Sequence, residues 1–349
     1  MGTHIEIAGR KIGEGEPCYI IAELSANHGQ DYTKAEELVR VAKECGADAV
    51  KLQTFTPETM TLDLPGELFE AKSKLWKGRR LFEIYQEASM PWEWQPKLKK
   101  FADSLGIHLF SSPFDATAVD FLEKMNAPAY KIASFELTDL PLIRKSAATG
   151  MPLIMSVGMA TLEEISDAVD AAVSAGCKEY ALLRCTSAYP SPASDMNLRT
   201  IPHLAQKFQC PAGLSDHTLG FEVPIAAVAA GASIIEKHFI LSRAEPSLDG
   251  EFSLEPDEFA RMVSAIRAIE PALGTVHYGP TKADQHNVTS RRSLFVVEDI
   301  DSGELITEKN IRSIRPGTGL APKHLEAVIG RKTKQKLTRG TPLSWEHLT

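Results

Sequence analysis

Eight short apolar runs in this chain each lead into side chains that can do chemistry. The first, at 19–23, delivers Glu23 and continues into Ser25, Asn27 and His28. The second, 49–53, carries Lys51 and Gln53. The third, 108–112, leads to Ser111, Ser112 and Asp115. The fourth, 129–132, gives Lys131, Ser134 and Glu136, and the fifth, 153–157, gives Ser156. The sixth, 180–184, leads to Arg184, Thr186, Ser187 and Tyr189. The seventh, 212–214, leads to Ser215, Asp216 and His217, and the eighth, 234–238, holds Glu236, Lys237 and His238. A lysine inside one such run can be only a salt-bridged core residue. Eight runs ending this way are hard to explain as surface decoration.

His217 and His238 follow consecutive runs at matching positions. If the runs are neighbouring strands about 5 Å apart, the two imidazoles can share one divalent cation and leave coordination sites open to water and substrate. Such a cation polarises a carbonyl, which suits attack on an aldehyde. The other reading is two core histidines hydrogen-bonded to carboxylates such as Asp216 or Glu236. Lys51, Lys131 and Arg184 supply cations, and Ser134, Ser156, Ser187 and Ser215 supply short donors. Cations mixed with hydroxyls suit a ligand that bears both a phosphate and a carboxylate. Some of these serines can instead cap the helices that follow them.

The elements that must position these groups are legible too. Amphipathic segments at 33–45, 94–105, 116–125, 140–149, 162–175 and 221–230 alternate with the apolar runs. Thr161 with Glu164 makes a capping-box pattern, and several segments end at a glycine, such as Gly46, Gly106, Gly150, Gly176 and Gly231. Eight strands alternating with helices predict an α/β fold, a (β/α)8 TIM barrel with its chemistry at the C-terminal ends of the strands. A doubly wound open sheet is the alternative, weakened by the lack of a GxGxxG after any run. The long interval 54–92 reads as an excursion over the barrel mouth, with a helix over 72–87. The last barrel helix ends near 272. The expected organisation is a catalytic barrel at 1–273, a linker at 274–290 and a small β-rich domain at 291–349, where glycines punctuate short extended pieces.

Bulk properties bound the function. With 349 residues, 43% apolar and 24% charged, the chain can bury a large core. No run is long enough to span a bilayer, and the first ten residues lack a signal-peptide pattern. Five cysteines without a CxxC pair suggest reduced thiols and a cytoplasmic setting. From 291 onward, 11 Lys and Arg face 7 Asp and Glu, a surplus of four, whereas the remainder has 27 against 39. A surplus of four is small for a nucleic-acid surface, so no nucleic-acid partner is expected.

Several segments together resemble the bacterial sialic acid synthase family, the nonulosonic acid synthases. They are IAELSANHGQ at 21–30, VKLQTF at 50–55, YKIAS at 130–134, SVGMAT at 156–161, CTSAYPSP at 185–192, GLSDHT at 213–218 and IEKHF at 235–239. The tail is similar to the family's antifreeze-like (SAF) domain, with RRSL at 291–294, RPGTG at 315–319 and GRKTKQKLTRGTPL at 330–343. The resemblance covers nearly the whole chain. It implies condensation of phosphoenolpyruvate with the open-chain aldehyde of an acetamido sugar, giving a nine-carbon 2-keto acid and phosphate. It implies a divalent metal, Mn2+ or Mg2+, on His217 and His238. The implied phosphoenolpyruvate site is Lys51, Gln53, Lys131, Ser134, Ser156, Ser187, Tyr189 and Ser215. Glu23 would be the acid/base, with Lys51, Lys131 and the two histidines completing the catalytic set. Glu136, Asp249 and Arg315 would contact the sugar. The family arrangement is a homodimer in which the SAF domain caps the partner barrel, with Arg315 reaching the other subunit's site.

The segment LSRAEPSLDGEFSLEP at 241–256 departs from the sialic and legionaminic members, which carry GPDH there. Its SLD…FSL form, with CTSAYP, looks like the pseudaminic branch, whose acceptor would be 2,4-diacetamido-2,4,6-trideoxy-L-altrose. The alternatives within the family are N-acetylmannosamine, the legionaminic precursor, or a spore-coat polysaccharide role. Outside it stand a class I aldolase using Lys51, Lys131 or Lys237 as a Schiff base, and a non-catalytic carbohydrate- or ice-binding protein.

Overall fold

The computed structural model describes residues 4–72 and 76–349. Twelve strands lie among the described residues. An N-terminal hairpin is formed by β1 (His4–Ile7) and β2 (Arg10–Gly13). The next eight are β3 (Tyr19–Glu23), β4 (Ala49–Thr54), β5 (His108–Pro113), β6 (Tyr130–Ile132), β7 (Leu153–Ser156), β8 (Tyr180–Cys185), β9 (Ala212–Asp216) and β10 (Ile234–His238). All eight pair in parallel in chain order, and β10 closes the ring on β3. β11 (Ser293–Val296) and β12 (Ile311–Ile314) pair antiparallel near the C-terminus. The chain divides into two compact units, Met1–Gly274 and Thr275–Thr349.

Strand periodicity explains how the barrel sorts its side chains. Successive residues of a strand point to opposite faces. One set packs outward under the helices. Val50, Leu52, Leu109, Tyr130, Ile132 and Leu182 join the large core there. The other set points inward. At the N-terminal end of the strands it is apolar, with Tyr19, Ile21, Phe110, Ile154 and Leu183 in one cluster. Two residues further along, the same face carries Glu23, Lys51, Ser112, Lys131, Ser156 and Cys185. Gly213 belongs to this inward face. A Cβ there would stand 2.2 Å from the Ile234 carbonyl oxygen and 2.8 Å from Leu183, so only glycine lets β9 approach β10 this closely.

The hairpin was not anticipated from sequence. Ile5, Ile7 and Ile12 are buried and join the apolar inner cluster, closing the end of the barrel opposite the chemistry. Burying each contributes about 1.5–3 kcal/mol. Arg10 and Arg267 both pair with Asp48, which also accepts from the Ile20 amide and so ties the barrel's start to its last helix.

The helices follow the expected segments within a residue or two, and their caps explain where they start. Asp31, Asp115 and Asp139 accept from first-turn amides, and Thr161 with Glu164 forms the expected capping box. The helix Thr200–Phe208 had not been read from sequence. In the excursion, the helix expected over 72–87 is shorter, spanning Leu81–Ala88. Ser73, Lys74 and Leu75, at its expected start, lie outside the described residues. Its first turn forms only after Arg80, which bridges back to Glu70. Among the described residues no helix is long and apolar enough to cross a membrane.

The C-terminal unit is built from extended pieces around its own small core, which includes Leu294, Val296, Ile300, Ile306 and Leu343. The isolated bridges Ile300↔Leu337 and Thr333↔Leu348 stitch its later segments together. A four-residue helix, Leu325–Val328, is its longest α-helix among the described residues.

Candidate active site

The inward face of the strand ends opens into a cavity of about 580 Å³. Its floor is a charged network. Lys51 lies at the centre of β4, with Nζ 2.7 Å from Glu23 Oε2 and donating to Ser112 Oγ at 3.2 Å. Lys131 in β6 donates to Ser156 Oγ at 2.7 Å. Glu236 sits between the two lysines, 3.8 Å from Lys51 Nζ and 3.6 Å from Lys131 Nζ, and accepts from Ser215 Oγ at 3.0 Å. Gln53 donates to Glu23 Oε1 and to Ser25 Oγ, and Ser25 donates to Asp249. Glu23, Lys51, Lys131 and Glu236 are each at most 5% exposed.

Burial sets the protonation of this network. It pushes the Glu23 carboxyl up to about 7 against the pull of Lys51, and it pushes Glu136 up to about 7. Asp249 is raised for the same reason. Glu236 is held below the ordinary range, because Lys131 and Lys51 together outweigh its desolvation. Desolvation lowers Lys131, while Glu23 and Glu236 hold Lys51 up.

The two histidines meet as expected. His217 and His238 have ring centroids 5.3 Å apart, and β10 sets His238 opposite Glu23. Burial drives His217 down to about 4 and His238 well below its ordinary value, so both are neutral imidazoles at pH 7. His217 Nδ1 lies 3.0 Å from the Thr186 carbonyl oxygen. A carbonyl only accepts, so Nδ1 carries the proton and Nε2 keeps its lone pair, the usual arrangement behind a metal-ligating histidine. Neither ring is tied to Asp216 or Glu236 by a hydrogen bond among the described contacts, and His238 Nδ1 is buried without a partner. Among the described residues no group of three or more His, Cys, Asp and Glu is arranged to hold a metal. Two imidazoles fit an open catalytic site, where water and substrate supply the remaining ligands, and not a closed structural one.

The serines gather on the next wall. Ser134 and Ser187 share a hydrogen bond at 2.7 Å, and Ser156 and Ser215 stand at Lys131 and Glu236. Gly158 packs against the serine pair: a Cβ there would lie 2.4 Å from Ser134 Cβ and 2.9 Å from Ser187 Oγ, at a φ of +48°. Tyr189 covers His217 with ring centroids 4.4 Å apart. Glu136 and Asp249 line the cavity further out. Arg315 lies in the other unit, exposed, directly after β12.

Several strand-end groups do not belong to the site. Arg184 points away from the cavity and clamps the carbonyls of Gly158, Asp195 and Met196. Lys237 faces outward, where it pairs with Asp216 at 2.6 Å with both side chains 0% exposed. Asp115 is a helix cap. In each case the alternation of β-strand side chains, or the next helix, decides the direction. Conversely, Glu236 and Ser25, strand-end groups to which the sequence reading assigns no catalytic or substrate-binding role, stand in the site. Glu236 could have been found from parity, since it stands two positions before His238 on the same face.

The chain also matches known proteins. The NeuB family model matches residues 38–278 and the SAF domain model residues 291–349. It is 44% identical over 331 residues to a pseudaminic acid synthase of Helicobacter pylori, covering 94% of this chain and 97% of that protein. It is 42% identical over 328 residues to a pseudaminic acid synthase of Campylobacter jejuni, covering 93% and 95%. Among solved structures, an N-acetylneuraminic acid synthetase of Leptospira borgpetersenii in complex with citrate superimposes with a TM-score of 0.74 at 32% identity, over 82% of this chain and 96% of that one. With the barrel, its charged floor and the appended C-terminal unit in hand, these matches show that the chain belongs to the NeuB family.

Proposed function

We propose that this protein condenses phosphoenolpyruvate with 2,4-diacetamido-2,4,6-trideoxy-L-altrose to give pseudaminic acid and phosphate. The observation that carries the reaction is the Lys51–Glu236–Lys131 array beside two neutral histidines in one cavity. The acceptor assignment is supported by the relatives at 42–44% identity and by the SLD…FSL segment.

In this reading Lys51 and Lys131 hold the phosphate and carboxylate of phosphoenolpyruvate, with Gln53, Ser134, Ser156, Ser187, Tyr189 and Ser215 as donors around them. His217 and His238 would hold Mn2+ or Mg2+, which when bound polarises the aldehyde carbonyl. Charge balance favours that cation. Four carboxylates, Glu23, Glu136, Glu236 and Asp249, line the cavity against two lysines. A ligand bearing a carboxylate and a phosphate of about −1.5 to −2 charge would add to that excess. A divalent cation, together with protons on the carboxyls that burial raises, restores balance.

The chain's own groups then divide the work. C3 of phosphoenolpyruvate forms a carbon–carbon bond to the aldehyde carbon, and the proton on Glu23 passes to the aldehyde oxygen. Water adds at C2 and gives one proton back to the Glu23 carboxylate. The bond from C2 to the phosphate oxygen then breaks, the second proton leaves with the phosphate on the side of the lysines and serines, and a ketone remains at C2. Glu136 and Asp249 orient the sugar. The protein acts as a homodimer in the cytoplasm, each C-terminal unit capping the partner barrel through Arg315. Incubation with phosphoenolpyruvate, Mn2+ and each candidate sugar, followed by phosphate release and product mass, tests the reaction. Turnover only with N-acetylmannosamine or the legionaminic precursor overturns the acceptor. Unchanged kinetics after removal of 291–349 or in Arg315→Ala overturns the cap.

A further inference from the structure

The short helix Leu81–Ala88 has an unusual position for its sequence. Leu81, Ile84, Tyr85 and Ala88 fall at i, i+3, i+4 and i+7, the spacing of one helix face. All four line the cavity. The charged residues lie elsewhere on and around the helix: Arg80 pairs with Glu83 and Asp63, and Arg79 with Glu87, all exposed. An apolar face of this kind ordinarily packs on a core. Here Ile84 joins only a small satellite cluster with Ala26, Ala71 and Leu248, apart from the barrel core; Leu81 and Ala88 pack against that cluster, and Leu81, Tyr85 and Ala88 all stay partly exposed. Phe55, edge-on to both Tyr85 and Phe114, extends the same apolar wall.

The cavity thus has a charged floor and an apolar wall. The reacting aldehyde must reach the floor, so the far end of an open-chain sugar stands at the wall. A sugar ending in hydroxyls would leave those groups facing mostly carbon, with the Tyr85 hydroxyl as the polar group among the four helix residues and most of their hydrogen bonds to water lost. A sugar ending in a methyl group, with acetamido methyls along its chain, would bury apolar surface there.

We infer that the Leu81–Ala88 helix is the acceptor-specificity element, its apolar face receiving the methyl-bearing end of a deoxy acetamido sugar and discriminating against fully hydroxylated ones. The assignment rests on the proposed condensation and names the part of the site that chooses the sugar.

The test uses the full chain with phosphoenolpyruvate, Mn2+ and two acceptors, the diacetamido-trideoxy sugar and N-acetylmannosamine. Leu81→Gln sets an amide into the wall, and Leu81→Ala only trims it, which keeps the test informative if the amide disturbs folding; thermal melts accompany both. A contact of this size discriminates by about 10–200-fold. Leu81→Gln is therefore expected to raise KM for the trideoxy sugar by about tenfold or more and Leu81→Ala by less, with KM for phosphoenolpyruvate changed by no more than about twofold and KM for N-acetylmannosamine unchanged or lowered. Equal loss on both acceptors, a matching rise in KM for phosphoenolpyruvate, or no change in either variant overturns the assignment. A wild-type protein that ignores the trideoxy sugar overturns the proposed reaction, and the assignment with it. Wild-type turnover of that sugar without differential loss in the variants overturns the assignment alone.

Discussion

The Glu236 carboxylate lies 3.6 Å from the Lys131 ammonium inside the barrel, with both side chains withdrawn from water. Lys51 approaches the same oxygen from the other side at 3.8 Å. One carboxylate therefore holds two buried cations apart and aims them into the cavity. Neutralising it leaves Lys131 with hydroxyl and carbonyl partners alone, so the lysine's already lowered proton affinity falls further. Glu236→Gln is expected to reduce turnover by about 100-fold or more and to weaken phosphoenolpyruvate binding, in line with losing a preorganised charge in a dry site. Steady-state kinetics with phosphoenolpyruvate varied checks this; a near-wild-type KM for phosphoenolpyruvate would remove Glu236 from its site.

Gly158 gives a prediction without charge. A methyl group there collides with Ser134 and Ser187 and must adopt a left-handed backbone. Gly158→Ala should part the serine pair and raise KM for phosphoenolpyruvate by about tenfold, a loss of about 1.4 kcal/mol, with little effect on acceptor KM. Initial rates with each substrate varied in turn separate the two.

His217→Ala with His238→Ala should abolish Mn2+ binding while the barrel stays folded. Turnover should fall by about a thousandfold or more, as expected when several kcal/mol of carbonyl polarisation are lost. Calorimetric titration with Mn2+ reads the binding directly, and activity lost in EDTA should return with Mn2+. Full Mn2+ affinity in the double variant would take the histidines out of the metal site.

Lys237 lies outside the barrel wall, so it should not form a Schiff base. Borohydride with pyruvate is expected to leave it unmodified. Lys237→Met strands Asp216 without its cation and should cost about 3–5 kcal/mol of stability, read by chemical denaturation.

Glu136 links stability to pH. Burial raises its folded value to about 7 from an unfolded 4.5. A carboxyl raised by folding contributes stability that is fully present below the unfolded value and is lost as pH rises through the folded one. Between about pH 4.5 and 7 Glu136 should pull the melting temperature down as pH rises, against His217 and His238, whose lowered values add stability over the same range, so Glu136→Gln should shift that slope upward. An identical slope in the variant would assign the effect to other groups.

Much of this arrangement was readable from the chain alone, because it depends on local periodicity. Alternation within a strand puts Lys51 and Gln53 on one face and Val50 and Leu52 on the other, whatever the strand pairs with. Capping residues such as Asp31 and Thr161 mark helix starts by chemistry within four residues. Part of what was missed was local as well, since parity with His238 separates Glu236 from its neighbour. Lys237 and Glu236 are adjacent in sequence and look alike as strand-end charges, yet one faces the helices and the other faces the cavity. The N-terminal hairpin is too short to show an amphipathic pattern, and only the open end of the barrel gives its isoleucines somewhere to be buried.

By itself the sequence determined the inventory of reactive groups, the eight strands that carry them and the inward parity they share, since all three follow from near-neighbour sterics. Only the tertiary structure decided that β10 closes on β3 with His238 opposite Glu23, that Ser134 and Ser187 meet across 53 positions, and that the helix Leu81–Ala88 turns its apolar face to the cavity. Those relationships depend on barrel closure, which pairs the first and last strands at a register that no local pattern encodes.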